Sequence, residues 1–186
     1  ARSGGEEALV ALAEAIGATV WFEGLRHHAP FPTSHPSYRQ SVPGDARQVR
    51  KALGDTDLVL LIGGPFFEDI WFAPGGHIPD GAALLQIEAS AERLALNNRL
   101  DAGIVGDIAV SLGALTDALR AKAGAAFRDA AQGRNAMLAE LQRKEKDAYR
   151  ARVEKGWDRE PSSMPRVTAE LRRGLPDDVV IVDESI

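Results

Sequence analysis

Four histidines, one glycine-rich turn and one isolated glutamate are the groups of this 186-residue chain that could do chemistry. The histidines are His27, His28, His35 and His77. Adjacent residues point apart in a helix or a strand, so His27 and His28 seldom share one ion. The chain has no cysteine, and no two of its histidines are spaced four apart. We therefore expect no metal site and assign no catalytic residue, and we expect His35, next to Pro36, to brace its loop by hydrogen bonding.

The turn Gly63-Gly64-Pro65 follows an apolar run and could bind an anion through its backbone N–H groups. Glu88, at the end of the next apolar run, stands where a ribose acceptor lies in dinucleotide sites. The G-x-G-x-x-G spacing is absent, however, and Pro65 removes one donor. Nucleotide binding stays open as an alternative, but a solvated carboxylate is the simpler interpretation of Glu88.

Aromatic residues crowd the segment after this turn. They are Phe66, Phe67, Trp71 and Phe72. Such a cluster could line a pocket, or it could be buried against a partner domain, and we favour the interface. Arg39 could pair with a carboxylate across that interface, although the sequence identifies no partner residue.

Composition excludes several classes of protein. Hydrophobic residues make up 45% of the chain and charged residues 26%, which is ordinary for a globular protein. The net charge of −5 gives no electrostatic reason to expect nucleic acid. No apolar run approaches the roughly 20 residues of a membrane helix. Without cysteine there are no disulfides, and without a signal-like start the cytoplasm is the default location.

Short apolar runs alternate with helical patterns along the chain. Strands are predicted at residues 19–22, 58–62, 83–87, 103–106 and 179–182. Helices are predicted from Ser3 to a stop at Gly17, from Asp45 to Gly54, from Ser90 to Leu96, and from Asp107 through Leu119. Ser3 with Glu6, and Asp45 with Gln48, have capping-box spacing. The proline-rich stretch at 23–44 is predicted to be a long irregular loop with a functional or interface role.

This alternation predicts an α/β fold, a doubly wound Rossmann-like parallel sheet with helices on both faces. The first strand of such a sheet normally lies inside it, yet the sequence starts at a helix, so that strand is apparently lacking. We divide the chain into a central domain (1–123), a charged helical linker (124–160) and the beginning of a further domain (161–186). Tyr149, Val153 and Trp157 share one face of the linker helix. Both ends look cut, which indicates an internal fragment.

Four motifs in order resemble a known family. They are PFPTSHPSYR at 30–39, DLVLLIGGPFF at 57–67, Gly106-Asp107 leading a helix, and VVIVDES at 179–185. Together they resemble the thiamine-diphosphate-dependent superfamily of benzoylformate decarboxylase and acetolactate-synthase-like enzymes. The resemblance covers the central domain and the entry into the C-terminal cofactor domain.

The resemblance implies a parent enzyme that decarboxylates a 2-keto acid, transfers the resulting acyl unit, or both. Such enzymes hold thiamine diphosphate and Mg²⁺ between N- and C-terminal domains that lie outside these residues, and they form homodimers or homotetramers. The fragment alone is then structural and inactive. By analogy, Glu184, Ser185 and Ile186 would neighbour the cofactor diphosphate, although Ile186 departs from the polar residue usual there.

Three departures qualify the resemblance. Met164 stands where benzoylformate decarboxylases have a catalytic histidine, and it can neither donate nor accept a proton. SYRQSVPG and GGPFFEDI replace the patterns of flavin-holding relatives, which makes FAD unlikely. Gln40 replaces a common glycine, so the turn there is expected to differ. A free-standing nucleotide-binding module and a non-catalytic scaffold domain are the alternatives.

Overall fold

The computed structural model describes residues 4–23, 30–42, 44–64, 66–67 and 75–182. The chain divides into two compact units, Ala1–Leu138 (unit 1) and Ala139–Ile186 (unit 2). The described elements follow in the order α1 (Glu6–Ile16), β1 (Val20–Phe22), β2 (Tyr38–Ser41), α2 (Ala46–Leu53), β3 (Leu58–Ile62), β4 (Ala83–Glu88), β5 (Ala102–Val105), α3 (Ile108–Lys122), α4 (Ala125–Lys155) and α5 (Met164–Gly174).

All strand pairs in unit 1 are parallel. β1 pairs with β2 in a two-stranded sheet, and β3, β4 and β5 form a three-stranded sheet in that order. Leu58 lies opposite Ala83, and Leu85 lies opposite Ala102. Parallel sheets with helices packed beside them confirm the predicted α/β, Rossmann-like class. β3 has the bounds that its apolar run predicts.

The core of unit 1 lies between β3–β4 and two helices. Leu12 of α1, Ile87 of β4 and Leu112 of α3 are almost fully buried, and each contributes about 1.5–3 kcal/mol of burial energy. Leu60 and Ile62 pack on this cluster from β3. Partly buried residues of α1 and α3 also pack against this cluster: Leu9, Ile16, Ile108, Leu115 and Leu119.

The predicted helix starts at Asp45 and Asp107 are confirmed, and both side chains cap their helices. The Asp45 carboxylate accepts hydrogen bonds from the N–H groups of Arg47 and Gln48, and Asp107 accepts one from Val110 N–H. The cap on α1 is wrong: the N-cap is Gly5, with no side-chain hydrogen bond, and Ser3 lies outside the described residues. Glu6 and Glu7 instead place negative charge in the first turn, which the helix dipole favours.

The segment at 90–96 is a series of turns and not the predicted helix. Gln86 holds it in place, because its side-chain oxygen accepts from Ala95 N–H and its nitrogen donates to the Arg93 carbonyl. Hydrogen bonds with Gln86 of β4 therefore take the place of the helix that was predicted to begin at Ser90. The loop at 23–44 is also less irregular than predicted, because Tyr38–Ser41 joins β1 as β2.

Helix α4 lies inside the segment predicted to be a helical linker (124–160), and it begins within unit 1. Ala131 lies against Gly17, where a Cβ atom at position 17 would come within 2.6 Å of the Ala131 carbonyl oxygen. The Arg134 guanidinium donates to the Ile16 carbonyl at 2.7 Å, and Asn135 donates to the Glu14 carbonyl at 2.8 Å. Arg134 thus gives the Ile16 carbonyl a donor at the end of α1, and Asn135 adds a second donor to the Glu14 carbonyl, which also accepts from Gly17 N–H.

Unit 2 comprises the end of α4, α5 and their connection. Val153 is buried, and the Tyr149 hydroxyl donates to the Pro165 carbonyl at 3.3 Å. The guanidinium groups of Arg166 and Arg173 lie 5.1 and 4.9 Å from the centre of the Trp157 ring. The three residues predicted to share one face therefore do make the contacts that order this unit.

The strand predicted at 179–182 is wrong for this chain. These four residues form no strand, and Val180 and Val182 are 85% and 89% exposed. A strand needs a partner for its backbone groups, and the described part of unit 2 contains no other strand. None of the described helices has the length and apolar character needed to cross a membrane.

Candidate functional site

The glycine turn lies at the carboxyl ends of β3 and β4, as the parallel register requires. Gly63 has φ of 79° and its N–H donates to the Ile87 carbonyl at 2.8 Å, so the chain leaves β3 in a backbone conformation that glycine adopts without strain. Gly64 lies directly over two side chains of β4. A Cβ atom at position 64 would be 3.1 Å from Glu88 Oε2 and 3.2 Å from Gln86 Nε2.

Two buried polar residues of β4 support this turn. Gln86 and Glu88 are only 5% and 2% exposed. Gln86 Nε2 donates to the Gly63 carbonyl at 3.4 Å, which links β4 to the turn after β3. Glu88 Oε1 accepts from the N–H groups of Ala89 and Ser90, at 2.8 and 3.3 Å. The structure contradicts a solvated Glu88, because its carboxylate is buried and shapes the loop after β4.

The second carboxylate oxygen of Glu88 is the least satisfied atom of the site. Glu88 Oε2 is buried and has no hydrogen-bond partner among the described residues. Burying such an acceptor without a donor costs about 1–3 kcal/mol. It lies under Gly64 at the carboxyl end of a central strand, the side of the sheet on which open α/β domains bind their ligands.

The aromatic residues near the turn hold it to other loops. Phe67 N–H donates to Glu23 Oε1 at 2.6 Å, and the Phe67 ring stacks on His77 with centroids 4.5 Å apart. Asn97 donates to the Phe66 carbonyl at 3.4 Å. Trp71 and Phe72 lie outside the described residues. The described aromatics thus pack within unit 1, and their expected burial against a partner domain stays a prediction.

His35 braces its loop, as predicted. Its Nδ1 accepts from Ser37 N–H at 3.1 Å, so Nε2 carries the proton that it shares with Glu14 Oε1 at 3.2 Å. The ring also meets Phe31 edge-on at 5.0 Å. Histidines 27 and 28 lie outside the described residues. Across the described ranges, no three histidine, aspartate or glutamate side chains are grouped as metal ligands.

Arg39 and Gln40 lie in β2, beside a bulge. Arg39 Nη2 donates to the Pro36 carbonyl at 2.7 Å, so this guanidinium orders its own loop. Gln40 has φ of 127°, a backbone conformation that non-glycine residues rarely adopt. The register between β1 and β2 shifts between Val20 and Trp21. Gln40 therefore strains the backbone of β2, and the expected difference from the turn of relatives stays a prediction.

The residues expected to neighbour a cofactor, Glu184, Ser185 and Ile186, lie outside the described residues. Met164 begins α5 and is 73% exposed. The described residues do not fit thiamine diphosphate, because no cluster of carboxylates is present to hold the Mg²⁺ that bridges a diphosphate. No step of the chemistry is assigned to them.

Comparison with known proteins decides the family. Residues 1–115 match the family model described as the central domain of thiamine pyrophosphate enzymes. The chain belongs to this family. Residues 1–115, within the Rossmann-like unit 1, are similar to the central domain of thiamine pyrophosphate enzymes, as the resemblance implied.

Curated and solved relatives agree with this assignment. Benzoylformate decarboxylase of Pseudomonas aeruginosa is 36% identical over 114 residues, covering 61% of this chain and 21% of that protein. A solved structure described as a thiamin diphosphate-dependent enzyme of Mycobacterium smegmatis matches with a TM-score of 0.57 and 34% identity, over 62% of this chain and 22% of that one. The 4-hydroxybenzoylformate decarboxylase of Rhodococcus jostii matches with a TM-score of 0.56 and 30% identity, over the same shares.

The chain spans only about a fifth of the length of these relatives. Their similarity supports a place in the decarboxylase branch of the family, and thiamine diphosphate is the cofactor that the family uses.

Sequence reasoning missed Gln86, which joins three segments at the site. The available signal was a single polar residue inside the apolar run at 83–87. A polar side chain inside such a strand must be hydrogen-bonded when it is buried, so its presence indicates a nearby loop with backbone groups to pair.

Proposed function

We propose that this chain is the central domain, linker and C-terminal entry of an enzyme that decarboxylates a 2-keto acid with thiamine diphosphate and Mg²⁺, and that can pass the acyl unit to an acceptor. The match of residues 1–115 to the central-domain family carries the proposal. Similarity to two decarboxylases, at 36% and 30% identity, supports the reaction type.

Within the parent, residues 1–123 serve as the central domain, 124–160 as the linker and 161–186 as the beginning of the cofactor domain. Glu184, Ser185 and Ile186 neighbour the diphosphate in this proposal. The parent is a cytoplasmic homodimer or homotetramer. The exposed apolar residues of unit 2 support a further domain there, because Val180 and Val182 need a sheet to pair with.

The role proposed for unit 1 is positional. A core built around Leu12, Ile87 and Leu112, together with loops pinned by Gln86 and His35, makes a rigid body. A rigid central domain can hold two catalytic domains at a fixed separation, on which catalytic geometry depends. The 186-residue chain alone is therefore inactive.

Two measurements test this proposal. Isothermal titration of the 186-residue chain with thiamine diphosphate and Mg²⁺ should show no binding at micromolar concentrations, and the chain should release no CO₂ from benzoylformate. Expression with its flanking coding sequence should give a protein that does release CO₂ from benzoylformate or another 2-keto acid. Micromolar binding by the chain alone would contradict its inactivity. A flanking sequence that lacks the N- and C-terminal domains which hold thiamine diphosphate and Mg²⁺ would favour the scaffold alternative.

A nucleotide-binding role is the second candidate, and the unpaired Glu88 Oε2 beneath Gly64 is the observation in its favour. Against it, the phosphate fingerprint is absent and FAD-type patterns are replaced. If NAD or FAD raises the melting temperature of the wild-type chain but not that of Glu88→Gln, the nucleotide role is correct. Equal melting temperatures with and without each nucleotide would exclude the nucleotide-binding role.

A further inference from the structure

Strand β5 of unit 1 is an apolar edge strand that the described structure leaves uncovered. It pairs with β4 on one side only, and all four of its residues, Ala102–Val105, are exposed. Ile104 and Val105 are 45% and 49% exposed. Edge strands are usually protected by a lysine, a proline, a bulge or a covering segment. β5 contains neither lysine nor proline and keeps a regular register with β4, so its outer edge is open to pairing with another strand.

The hydrogen bonds to β4 show which backbone groups of β5 are available. Gly106 N–H donates to the Glu88 carbonyl, so the peptide group after Val105 directs its N–H toward β4 and its C=O away from it. The chain bends at Asp101, whose N–H also donates to β4, and the strand is regular after it. Backbone groups alternate in direction along a strand. Gly103 and Val105 therefore direct their N–H and C=O groups outward, where the described sheet has no further strand.

The charges next to β5 are arranged so that this edge complements itself. A twofold axis would bring two identical β5 edges together in antiparallel orientation, so that each residue faces a fixed partner in the second copy. With Gly103 opposite itself, Arg99 stands opposite Asp107, and both residues are exposed. Opposite charges that face each other across two strands stabilise the pair, and like charges destabilise it. With the axis moved to Ile104, Asp101 would instead face Asp107, so the charges favour the register with Gly103 on the axis.

The same register also matches side chains on the two faces of the sheet. Leu94 lies over Gly103, where a Cβ atom would come within 2.9 Å of Leu94 Cδ2, so the two Leu94 side chains would meet above the paired glycines. On the opposite face, Ala102 would lie opposite Ile104 of the second copy, which sets a small side chain against a large one. Pairing in this register would therefore remove the exposed apolar surface of β5 from water.

We propose that the outer edge of β5 binds a second copy of this chain in antiparallel orientation, with Gly103 on the twofold axis. The two three-stranded sheets then form one continuous sheet in the order β3, β4, β5, β5, β4, β3. The complementary charges of Arg99 and Asp107 select a second copy over an unrelated strand. The proposed homodimer or homotetramer has no assigned contact surface, and this inference assigns one from strand geometry, independently of the proposed catalysis.

The first measurement is sedimentation equilibrium of the 186-residue chain from about 1 µM to 1 mM, the range of weak complexes. The chain should pass from monomer to dimer within this range, because a contact of one short strand is at the small end of protein interfaces. Val105→Pro should keep the chain monomeric, since proline removes the outward N–H and is tolerated on an open strand edge. Val105→Lys should also keep it monomeric and leaves the backbone N–H in place.

A second set of variants tests the ion pair across the axis. Arg99→Glu should raise the dissociation constant of the dimer about tenfold, because it places two negative charges opposite each other on both sides of the axis. Adding Asp107→Asn to Arg99→Glu should recover part of the affinity, since asparagine can still cap α3 but carries no charge. Arg172→Glu is the matched control: it makes the same charge change at an exposed position of α5 and should leave the dissociation constant unchanged.

Disulfide formation tests the register, because the chain has no cysteine of its own. Ala102 would face Ile104 of the second copy at the closer, non-hydrogen-bonded spacing, with Cα atoms about 4.5 Å apart, which a disulfide can bridge. An oxidised mixture of Ala102→Cys and Ile104→Cys chains should form a dimer that contains one chain of each kind, identified by its mass. Either variant alone should form much less disulfide-linked dimer.

Three outcomes would overturn the proposal. One is a wild-type chain that stays monomeric throughout the concentration range. Another is a dimer whose dissociation constant is unchanged by Val105→Pro and Val105→Lys. The third is rapid disulfide formation by Ile104→Cys alone, because Ile104 would then face its own counterpart in a different register.

Discussion

At the scale of single residues, the two carboxylate oxygens of Glu88 lie in different environments. Its Oε1 accepts two backbone N–H groups, whereas its Oε2 is buried without a donor beneath Gly64. The first interaction shapes the loop after β4, and the second carries a desolvation cost. Substitutions that remove one or both oxygens can measure what each contributes to the free energy of unfolding.

Glu88→Gln should leave the free energy of unfolding unchanged or raise it. The amide keeps an oxygen for the N–H groups of Ala89 and Ser90 and removes a buried carboxylate oxygen that has no donor. Glu88→Ala should lower the free energy by about 2 kcal/mol, because both N–H groups lose their acceptor. Urea denaturation of the two variants checks this. A glutamine variant as unstable as the alanine variant would show that the charge itself is required.

Asp45 should contribute stability that depends on pH. Hydrogen bonds from the backbone N–H groups of Gln48 and Arg47 lower the pKa of this N-cap carboxyl below its usual 3.8. A lowered pKa in the folded state means that the contribution is fully present above pH 3.8 and disappears as the pH falls through the folded-state pKa. Asp45→Ala should therefore melt a few degrees lower than the wild type at pH 7.

The melting curves of Asp45→Ala and wild type, recorded from pH 7 to pH 2.5, should converge below about pH 4. Asp55→Ala is the matched control, because Asp55 is an exposed carboxylate with no capping role in the described structure. A difference that persists unchanged at pH 2.5 would assign the effect of Asp45 to helix propensity.

At the scale of elements, the end of α1 lies close against α4. Gly17 ends α1 with φ of 61°, and Ala131 of α4 lies against it. Arg134 and Asn135 pair the last carbonyls of α1. A glycine is needed here for its backbone conformation and for the space that it leaves.

Gly17→Ala should lower the free energy of unfolding by about 1–3 kcal/mol, because the added methyl group meets the Ala131 carbonyl and the φ angle disfavours alanine. Gly133→Ala is the matched control within α4. No heavy atom lies within 4 Å of its Cβ position, so alanine should stabilise the helix by about 0.5–1 kcal/mol. Thermal denaturation of both variants should show a loss of stability for Gly17→Ala and a gain for Gly133→Ala. An unchanged stability of Gly17→Ala would mean that α1 and α4 can move apart without cost.

At the scale of the whole molecule, the two units differ in how much core they possess. Unit 1 buries Leu12, Ile87 and Leu112 between a parallel sheet and two helices, whereas α5 in unit 2 has no buried residue. Unit 2 relies on Val153 and on the two guanidinium groups over Trp157. Cooperative unfolding should therefore report mainly on unit 1.

Leu112→Ala should lower the free energy of unfolding by about 2–5 kcal/mol, because it empties the centre of the core, where Leu112 is 1% exposed. Val110→Ala, two residues earlier in α3 and 71% exposed, should change it by less than about 0.5 kcal/mol. Chemical denaturation followed by far-UV circular dichroism gives both values. Equal effects would show that α3 does not pack on the sheet as described.

The sequence by itself determined the elements whose signals are local. Short apolar runs predict β3 and β4, and Asp45 and Asp107 start their helices because each side chain accepts from a backbone N–H within three residues. The order of motifs also identified the family. These properties depend on neighbours along the chain.

Only the tertiary structure decided the rest. The sequence of residues 90–96 predicts a helix, but Gln86 forms hydrogen bonds with backbone groups of this segment. The sequence of residues 179–182 predicts a strand, but the described structure offers this segment no strand to pair with. The sequence predicts a solvated Glu88, but in the structure the turn at Gly64 covers this side chain. Each of these three outcomes depends on a partner outside the segment itself. The pattern of residues within the segment therefore does not reveal it.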